Sequence, residues 1–483
     1  MANFNESEGK QGEVARPSWL PADGEVLADG EYDVIILGTG LTNMILSGLL
    51  AVSGKRVLIV DRNNYYGGES ASLDLQKLFE KFRGVEASSN VSKSFGRHQD
   101  WAVDLIPKFI MADGNLTKIL LHSKVTRYLE FKSIDASYVY TADDGGYFKS
   151  SDKIEKVPTN TSEALASGLM TFFEKKRFRD FLVFMNTYDE KDPKTYLKGK
   201  TLDKYTMQEV FALHSLNENT MSFIGHAMML FPDDRYLEWS ANIGGEALKL
   251  YMSSMQRYPP YTSPYIYPLY GLGGLPEGFS RVCAIHGGTF MLNTPVDGVL
   301  EKNGVAWGIK SGNQYATGKQ IIGDASYFKP EQTKVAGQVV RAICILNHPI
   351  PNTENAESIQ IILPSTQLKR QNDVYVCMVS NAHNVCANNH YIAIVSTTVE
   401  TAQPLSELEP GIKLLGDIVE RFDSISDIYV PVADGTKDAC FISKSYDAAS
   451  HFESAATDVL SMYERLTGET LDMTIDADIC DDY

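Results

Sequence analysis

One stretch constrains the fold more than any other. It runs Glu31-Tyr-Asp-Val-Ile-Ile-Leu-Gly38, continues through Thr39-Gly40-Leu-Thr-Asn43 and an apolar segment to Val52, stops at Gly54, and ends with Arg56-Val-Leu-Ile-Val-Asp61. A continuous apolar run ending in glycine reads as a strand covered on both faces, because burial on both sides removes the polar alternation. Strand, glycine turn, helix, strand and terminal acid within ~30 residues make a βαβ unit of the dinucleotide-binding type. In a working cofactor fold, Gly-x-Gly-x-x-Gly lets a pyrophosphate reach the backbone and the helix N-terminus. Gly38 and Gly40 supply the first two glycines, but Asn43 holds the third place, where its side chain is expected to obstruct close helix–strand packing. Asp61 stands where an acid would take a ribose hydroxyl. The pattern specifies the scaffold and argues against a bound FAD or NAD; no cofactor is expected.

Composition narrows the function classes. The 483 residues carry 44 Lys and Arg against 62 Asp and Glu, a net charge of −18. Seven acids and two bases lie before Tyr32, and five acids with no base lie from Leu471 onward. No basic face is apparent, which argues against a nucleic-acid partner. The longest apolar run, Met44 to Val52, is about half of the ~20 residues a spanning helix needs. No basic, then apolar, leader opens the chain, so no secretory signal is expected. Cys283, Cys344, Cys377, Cys386, Cys440 and Cys480 are widely spaced and read as free thiols in a reducing cytosol, without a disulfide frame or metal site. Cys480 is near the end, but Asp481, Asp482 and Tyr483 make a poor prenylation box.

Residues 1–30, rich in Gly, Pro and acids, are expected to form a flexible extension, with order beginning at Glu31. The middle turns helical. Asn160 and Glu163 are placed as an N-cap and its capping-box partner, and Leu165, Leu169, Phe172, Phe173, Phe181, Leu182 and Met185 follow on helical spacings. Further helices are expected over 207–213 and 221–230. The Pro-rich stretch 258–270 should be an extended loop, since each Pro removes a donor and restricts its predecessor. Strands at 289–293, 298–302, 306–310 and 320–323 read as a β-meander leading into a buried strand, with more strand at 374–379 and 391–399. No nucleophile elbow, P-loop or His/Cys pairing appears. His98, His226 and His383 read as structural.

Five segments carry a closer resemblance: Asp61-Arg-Asn-Asn-Tyr-Tyr-Gly-Gly-Glu-Ser70, Trp101-Ala-Val-Asp-Leu-Ile-Pro-Lys-Phe109, Phe178-Arg-Asp-Phe-Leu-Val-Phe184, Tyr267-Pro-Leu-Tyr-Gly-Leu-Gly-Gly-Leu-Pro276 and Ser445-Tyr-Asp-Ala-Ala-Ser-His-Phe452. Together, and in this order, they resemble the Rab GDP-dissociation inhibitor family from about Tyr32 to Phe452. The resemblance implies an α/β fold: an FAD-oxidoreductase-like, Rossmann-type multi-sheet domain I (31–150 and 253–455) without flavin, a helical, prenyl-binding domain II inserted at 151–252, and a C-terminal helix and acidic tail at 456–483. It further implies a non-enzymatic, cytoplasmic carrier, transiently on membranes and monomeric when free. Such a carrier binds GDP-bound geranylgeranylated Rab GTPases, slows GDP release, and exchanges them with membranes through a receptor or displacement factor.

Carried over by motif, the Rab-binding platform falls on Tyr66, Arg281, Thr289, Phe290 and Met291. Tyr and Arg are common interface anchors and Met adapts to varied partners. The family's mobile effector loop, linked to membrane recognition, falls on the 258–270 stretch, with Arg257, Tyr258, Tyr265 and Tyr267 as candidates. Soft side chains of the helical region, Met170, Phe173, Phe181, Met185, Met221, Met228 and Met229, are candidates for a prenyl groove. Two positions depart from the family: Gly274 stands where Glu is usual, and Gln99 where a basic residue is usual. Two other readings compete: an FAD-dependent oxidoreductase, on Gly38, Gly40, Asp61 and the Gly323-Asp324 pair, and a Rab escort protein, normally longer through a large insertion.

Overall fold

The computed structural model describes residues 16–84, 94–142, 153–159, 163 and 170–474. The βαβ unit forms as its pattern requires. Strand β1 (Glu25–Leu37) leads through Gly38, at φ +89°, into helix α1 (Leu41–Val52) and strand β2 (Val57–Val60). Gly54, at φ +82°, ends the helical segment. The parallel pairing of β1 with β2 runs from Val34 opposite Val57 to Leu37 opposite Val60.

β1 starts six residues before the expected Glu31, which corrects the boundary of the flexible extension. Glu25 and Val26 pair with Gln314 and Tyr315, and pairing resumes at Glu31 opposite Thr317 after an irregularity. Ala28 at φ +51° and Gly30 at φ +81° lie within that break. They interrupt the apolar run, so the sequence lost a strand that backbone pairing carries through. Leu27 is fully buried, and the Trp19 indole donates to Glu31 at 2.9 Å. Residues 1–15 lie outside the described set.

Among the described residues there are two seven-stranded sheets. The first runs Thr289–Met291, β2, β1, Gln314–Gly323, Val305–Ser311 and Gly298–Lys302, with Cys440–Ile442 also pairing Gln314–Gly323. Thr289–Met291 therefore does not belong to the meander where the sequence placed it; it is the far edge strand, parallel to β2. The Asn293 and Thr294 N–H groups donate to the Asn63 and Asp61 carbonyls, fixing the exit of that strand against the end of β2. α1 and the helix Gly274–Ile285 cover one face of the sheet, meeting so closely that a Cβ at Gly48 would lie 3.1 Å from Phe279. The second sheet is largely antiparallel, ordered Glu420–Pro431, Thr333–Leu346, Tyr391–Thr398, Val374–Ser380, Ile359–Leu363, Ala136–Thr141 and Lys153–Lys156.

Between the strands Lys153–Lys156 and Tyr265–Pro268 the chain is mainly helical: Phe172–Thr187, Met207–Leu213, Glu218–Ser222 and Ala241–Met255. Asn160, Leu165 and Leu169 fall outside the described residues; the Glu163 carboxylate accepts from the N–H and O–H of Thr159. A full capping box instead starts Met207–Leu213, where Thr206 and Glu209 bond reciprocally. The helix expected over 221–230 changes character: α-helix ends at Ser222 and a π-turn, Phe223–Met228, follows. His226, at its centre, is held by Asp373 and Asp234 from outside the turn. The Pro-rich stretch is not loop throughout, since Tyr265–Pro268 forms the middle strand of a small sheet with Ile110–Met111 and Phe131–Ser133. The C-terminal helix spans Glu453–Thr467.

Candidate functional site

The nucleotide turn can be tested directly for its fit to a dinucleotide. Asp61 is buried and accepts from the Thr39 N–H (2.8 Å), the Thr39 hydroxyl (2.6 Å), the Asn63 N–H (2.8 Å) and the Asn63 amide (3.0 Å). A carboxylate has about four acceptor sites, so none remains for a ribose. The first helical N–H, that of Leu41, donates to Ser70 Oγ at 3.1 Å, and Gly40 bridges Gly67. A Cβ at Gly68 would sit 3.8 Å from the Gly40 nitrogen, so residues 67–70 lie across the place a pyrophosphate would approach. Asn43 does not prise helix from strand. Its amide folds back to donate to the Leu37 carbonyl at 2.9 Å and the Gly38 carbonyl at 3.2 Å, leaving only Oδ1 without a partner. The chain's own groups occupy the turn, and these residues do not fit a bound dinucleotide. Among the described residues no cluster of His, Cys, Asp and Glu could hold a metal ion.

The strap that covers the turn carries Tyr66. Its ring meets Phe290 edge-on at 6.1 Å. Burial raises the pKa of its hydroxyl, the Ser280 side chain draws it back, and the Glu277 charge raises it again, so the ring also abuts the helix Gly274–Ile285. Arg281 is exposed on that helix, its guanidinium 4.7 Å over the Tyr128 ring, and among the described residues no carboxylate pairs with it. Thr289, Phe290 and Met291 are half-buried on the sheet edge. The structure thus gathers Tyr66, Phe290 and the Ser280–Arg281 turn along one edge of the first sheet. A Cβ added at Gly274 would lie 3.2 Å from Leu129 Cδ2 and meet nothing else within 4 Å.

Asp104, which sequence reasoning did not single out, positions this edge. Its carboxylate accepts from the Tyr267 hydroxyl, the Ser72 hydroxyl and the Leu272 N–H, while Ser72 Oγ accepts from the Gly273 N–H. Burial pushes its pKa up to about 6, against the pull of those three donors. Two of the quoted segments therefore meet at one carboxylate just before the helix that bears Arg281. A second pair meets nearby. Buried Lys108 lies 2.5 Å from Asp447, the Phe109 N–H donates to the Ser450 carbonyl, and the Phe452 N–H returns to the Phe109 carbonyl. The available signal was the presence of two charged residues, Asp104 and Lys108, inside the otherwise apolar segment Trp101–Phe109.

The remaining candidates divide. Tyr265 and Tyr267 are 1% exposed and sit in a strand whose four residues are all buried, so they do not belong to a membrane-facing loop; the flanking strands hold them inward, and the Asp104 bond fixes Tyr267. Arg257 is exposed and Tyr258 half-buried at the surface. Phe181 and Met185 are fully buried, Phe181 against Phe211 and His214 at 5.4 Å, and are core rather than groove. Met228 and Met229 are also buried, Met170 and Met221 are half-buried, and Phe173 is exposed. An open cleft of about 370 Å³ lies elsewhere, lined by Gln99, Trp101, Tyr270, Asn381 and Asn384 among others, and by none of those seven. Among the described residues Cys283, Cys344, Cys377, Cys386 and Cys440 are buried free thiols; Cys480 lies outside that set. His226 and His383 are buried.

The geometry defines a class: a dinucleotide-fold scaffold whose nucleotide turn is occupied by its own strap, with a binding edge built on that strap. Known proteins agree. The chain belongs to the GDP dissociation inhibitor family, whose sequence profile matches residues 28–477. It is 54% identical over 444 residues to the probable secretory pathway GDP dissociation inhibitor 1 of Schizosaccharomyces pombe, covering 92% of this chain and 97% of that one. It is 51% identical over 447 residues to the Rab GDP-dissociation inhibitor of Saccharomyces cerevisiae, covering 92% and 96%. A crystal structure of a Rab GDI from Plasmodium falciparum superposes with a TM-score of 0.86 at 45% identity, covering 92% of this chain and 99% of that one. An oxidoreductase from Methanosarcina mazei shares the fold alone, at TM-score 0.52 and 14% identity, covering 89% and 100%.

Proposed function

We propose that this chain is a Rab GDP-dissociation inhibitor: a carrier, not a catalyst, that binds GDP-bound geranylgeranylated Rab GTPases, slows GDP release and moves them between membrane and cytosol. The observation that carries this reading is the gathering of Tyr66, Phe290 and the Arg281 helix on one edge of a scaffold whose family match runs almost end to end. Domain I, over 31–150 and 253–455, supplies the protein contact through Tyr66, Arg281, Thr289, Phe290 and Met291. The helical insertion supplies the lipid contact. Met170 and Met221 stand nearest the surface, and buried Met228 and Met229 are reached when the helices part; methionine's flexible thioether suits such a groove. Two contacts are required on physical grounds. A prenyl chain gains ~0.8 kcal/mol per CH₂ removed from water, so a carrier holding only the GTPase surface leaves it in the bilayer. One holding only lipid cannot tell GDP from GTP.

The arrangement favours this over an oxidoreductase, because Asp61 and Leu41 have no group left to offer a cofactor. The deciding experiment mixes the protein with Rab-loaded membranes. Rab should enter the supernatant when loaded with GDP and remain on the membrane with GTP. Extraction independent of nucleotide, or none, refutes the reading. Stimulation of Rab prenylation in a reconstituted assay would instead indicate an escort protein.

A further inference from the structure

The helix Phe172–Thr187 is fastened by one face and bare on the other. Glu174, Phe178, Phe181 and Met185 are buried. The Glu174 carboxylate accepts from the Asn217 N–H at 2.8 Å, and the Thr171 side chain caps the first turn. The opposite face runs Phe172, Lys176, Arg179, Val183, the steps of four, three and four that stack side chains on one side of a helix. Phe172 is 75% exposed, Phe173 74% and Val183 56%. The two Phe rings meet edge-on at 5.8 Å and pack on little else. An exposed aromatic pair in a well-packed helix is uncommon in a monomer and marks a contact surface.

The charges around it identify the partner. Lys175, Lys176, Arg177 and Arg179 fall within eight residues of Phe172; Arg177 pairs with buried Glu174 at 3.2 Å and Arg179 with Asp180 at 2.8 Å, so Arg179 would exchange that exposed partner for a lipid phosphate. The chain as a whole carries −18. Exposed charges farther away than the Debye length of about 8 Å are screened, so this turn meets an anionic plane as a cation and the negative charge elsewhere on the chain does not cancel the attraction. Aromatic rings seated at headgroup depth with basic residues on the phosphates are the arrangement of an interfacial anchor. We propose that the Phe172–Val183 face is a docking surface for an anionic lipid bilayer, with Phe172 and Phe173 inserted between headgroups and Lys176 and Arg179 on lipid phosphates. It is separate from the Tyr66–Arg281 edge and does not depend on the reading of that edge. It orients the carrier, presenting the helical region to the membrane.

The test is flotation of the full-length protein, free of Rab, with phosphatidylcholine vesicles that contain or lack phosphatidylserine. The protein should float only with the anionic vesicles, and less at high salt. Each basic residue near the surface contributes about fivefold in affinity, so Lys176→Glu with Arg179→Glu should weaken binding by ~25-fold or more. Phe172→Ser with Phe173→Ser should abolish insertion. All four side chains point to solvent, so both variants should melt like the wild type. No binding of the wild type to anionic vesicles, or wild-type binding by both variants, overturns the proposal. So does a Phe-pair variant that floats normally but loses a soluble geranylgeranylated peptide, because the pair would then line a lipid pocket.

Discussion

Replacing His226 with Gln removes the charge at the centre of the helical region without a large change of volume. The ring is fully buried, with Nδ1 2.9 Å from Asp373 and Nε2 3.1 Å from Asp234. Asp233 acts on it through space, and the Tyr236 ring stands edge-on at 6.0 Å. Burial alone would lower the imidazole pKa; the Asp373 charge and the hydrogen bonds of Asp234 and Asp373 outweigh it and raise the value to about 10. A raised pKa contributes stability that is fully present below the unfolded value of 6.5 and is lost as pH rises through about 10. The slope in between is about 1.4 kcal/mol per pH unit. At about pH 7.5 the variant should lie roughly 3–5 kcal/mol below the wild type, the usual cost of removing one member of a buried pair. By about pH 9.5 the gap should shrink by about 2–3 kcal/mol, since the wild type loses its advantage and the variant has none to lose. Urea unfolding of both proteins across that range reads the difference, and the titrating groups that do not interact with the ring cancel between them. A constant gap would mean the ring is neutral in the folded protein and would refute the argument.

Arg281→Ala should weaken binding to GDP-loaded Rab by ~2 kcal/mol or more with an unchanged melting curve; a drop in melting temperature without a change in affinity would make the residue structural. Gly274→Glu should tighten the same complex, because the added Cβ meets only the Leu129 methyl; weaker binding, read by calorimetry, would show that the edge is built around glycine. Asp104→Ala leaves the buried Tyr267 hydroxyl and Leu272 N–H without an acceptor. At roughly 1–3 kcal/mol for each unsatisfied group, it should lower both urea stability and Rab affinity, and a stable variant with normal affinity would remove Asp104 from its positioning role.

The parts legible in the sequence are those where local pattern and final environment agree. The unbroken apolar runs of β1 and β2 demanded a parallel strand pair, whereas the obstruction expected from Asn43 did not arise, because its amide folds back onto the Leu37 and Gly38 carbonyls. What escaped notice depended on partners distant in the chain. Glu25–Leu27 joins the sheet only because Gln314 and Tyr315 lie beside it. Thr289–Met291 looked like the start of a hairpin, yet its hydrogen bonds go to β2, some 230 residues earlier. Tyr265 and Tyr267 carry the composition of an exposed loop, and only Asp104 and two neighbouring strands reveal them as core. Met and Phe on helical spacings could not be sorted by sequence into the fully buried Phe181 and Met185 and the exposed Phe173, because burial is a property of the opposing surface.

The segment that crosses the nucleotide turn has an entropic consequence. Asn63 is tied to Asp61 and, through its carbonyl, to Asn293; Gly67 is tied to Thr39; Ser70 is tied to Gly67 and Leu41. Tyr66 stands between two of these anchors, so its backbone is ordered when the chain folds and not when a partner arrives. Immobilising a loop side chain on association commonly costs about 0.5–1.5 kcal/mol. Folding has already met that cost here, drawing on hydrogen bonds that an enzyme of this architecture would reserve for its coenzyme.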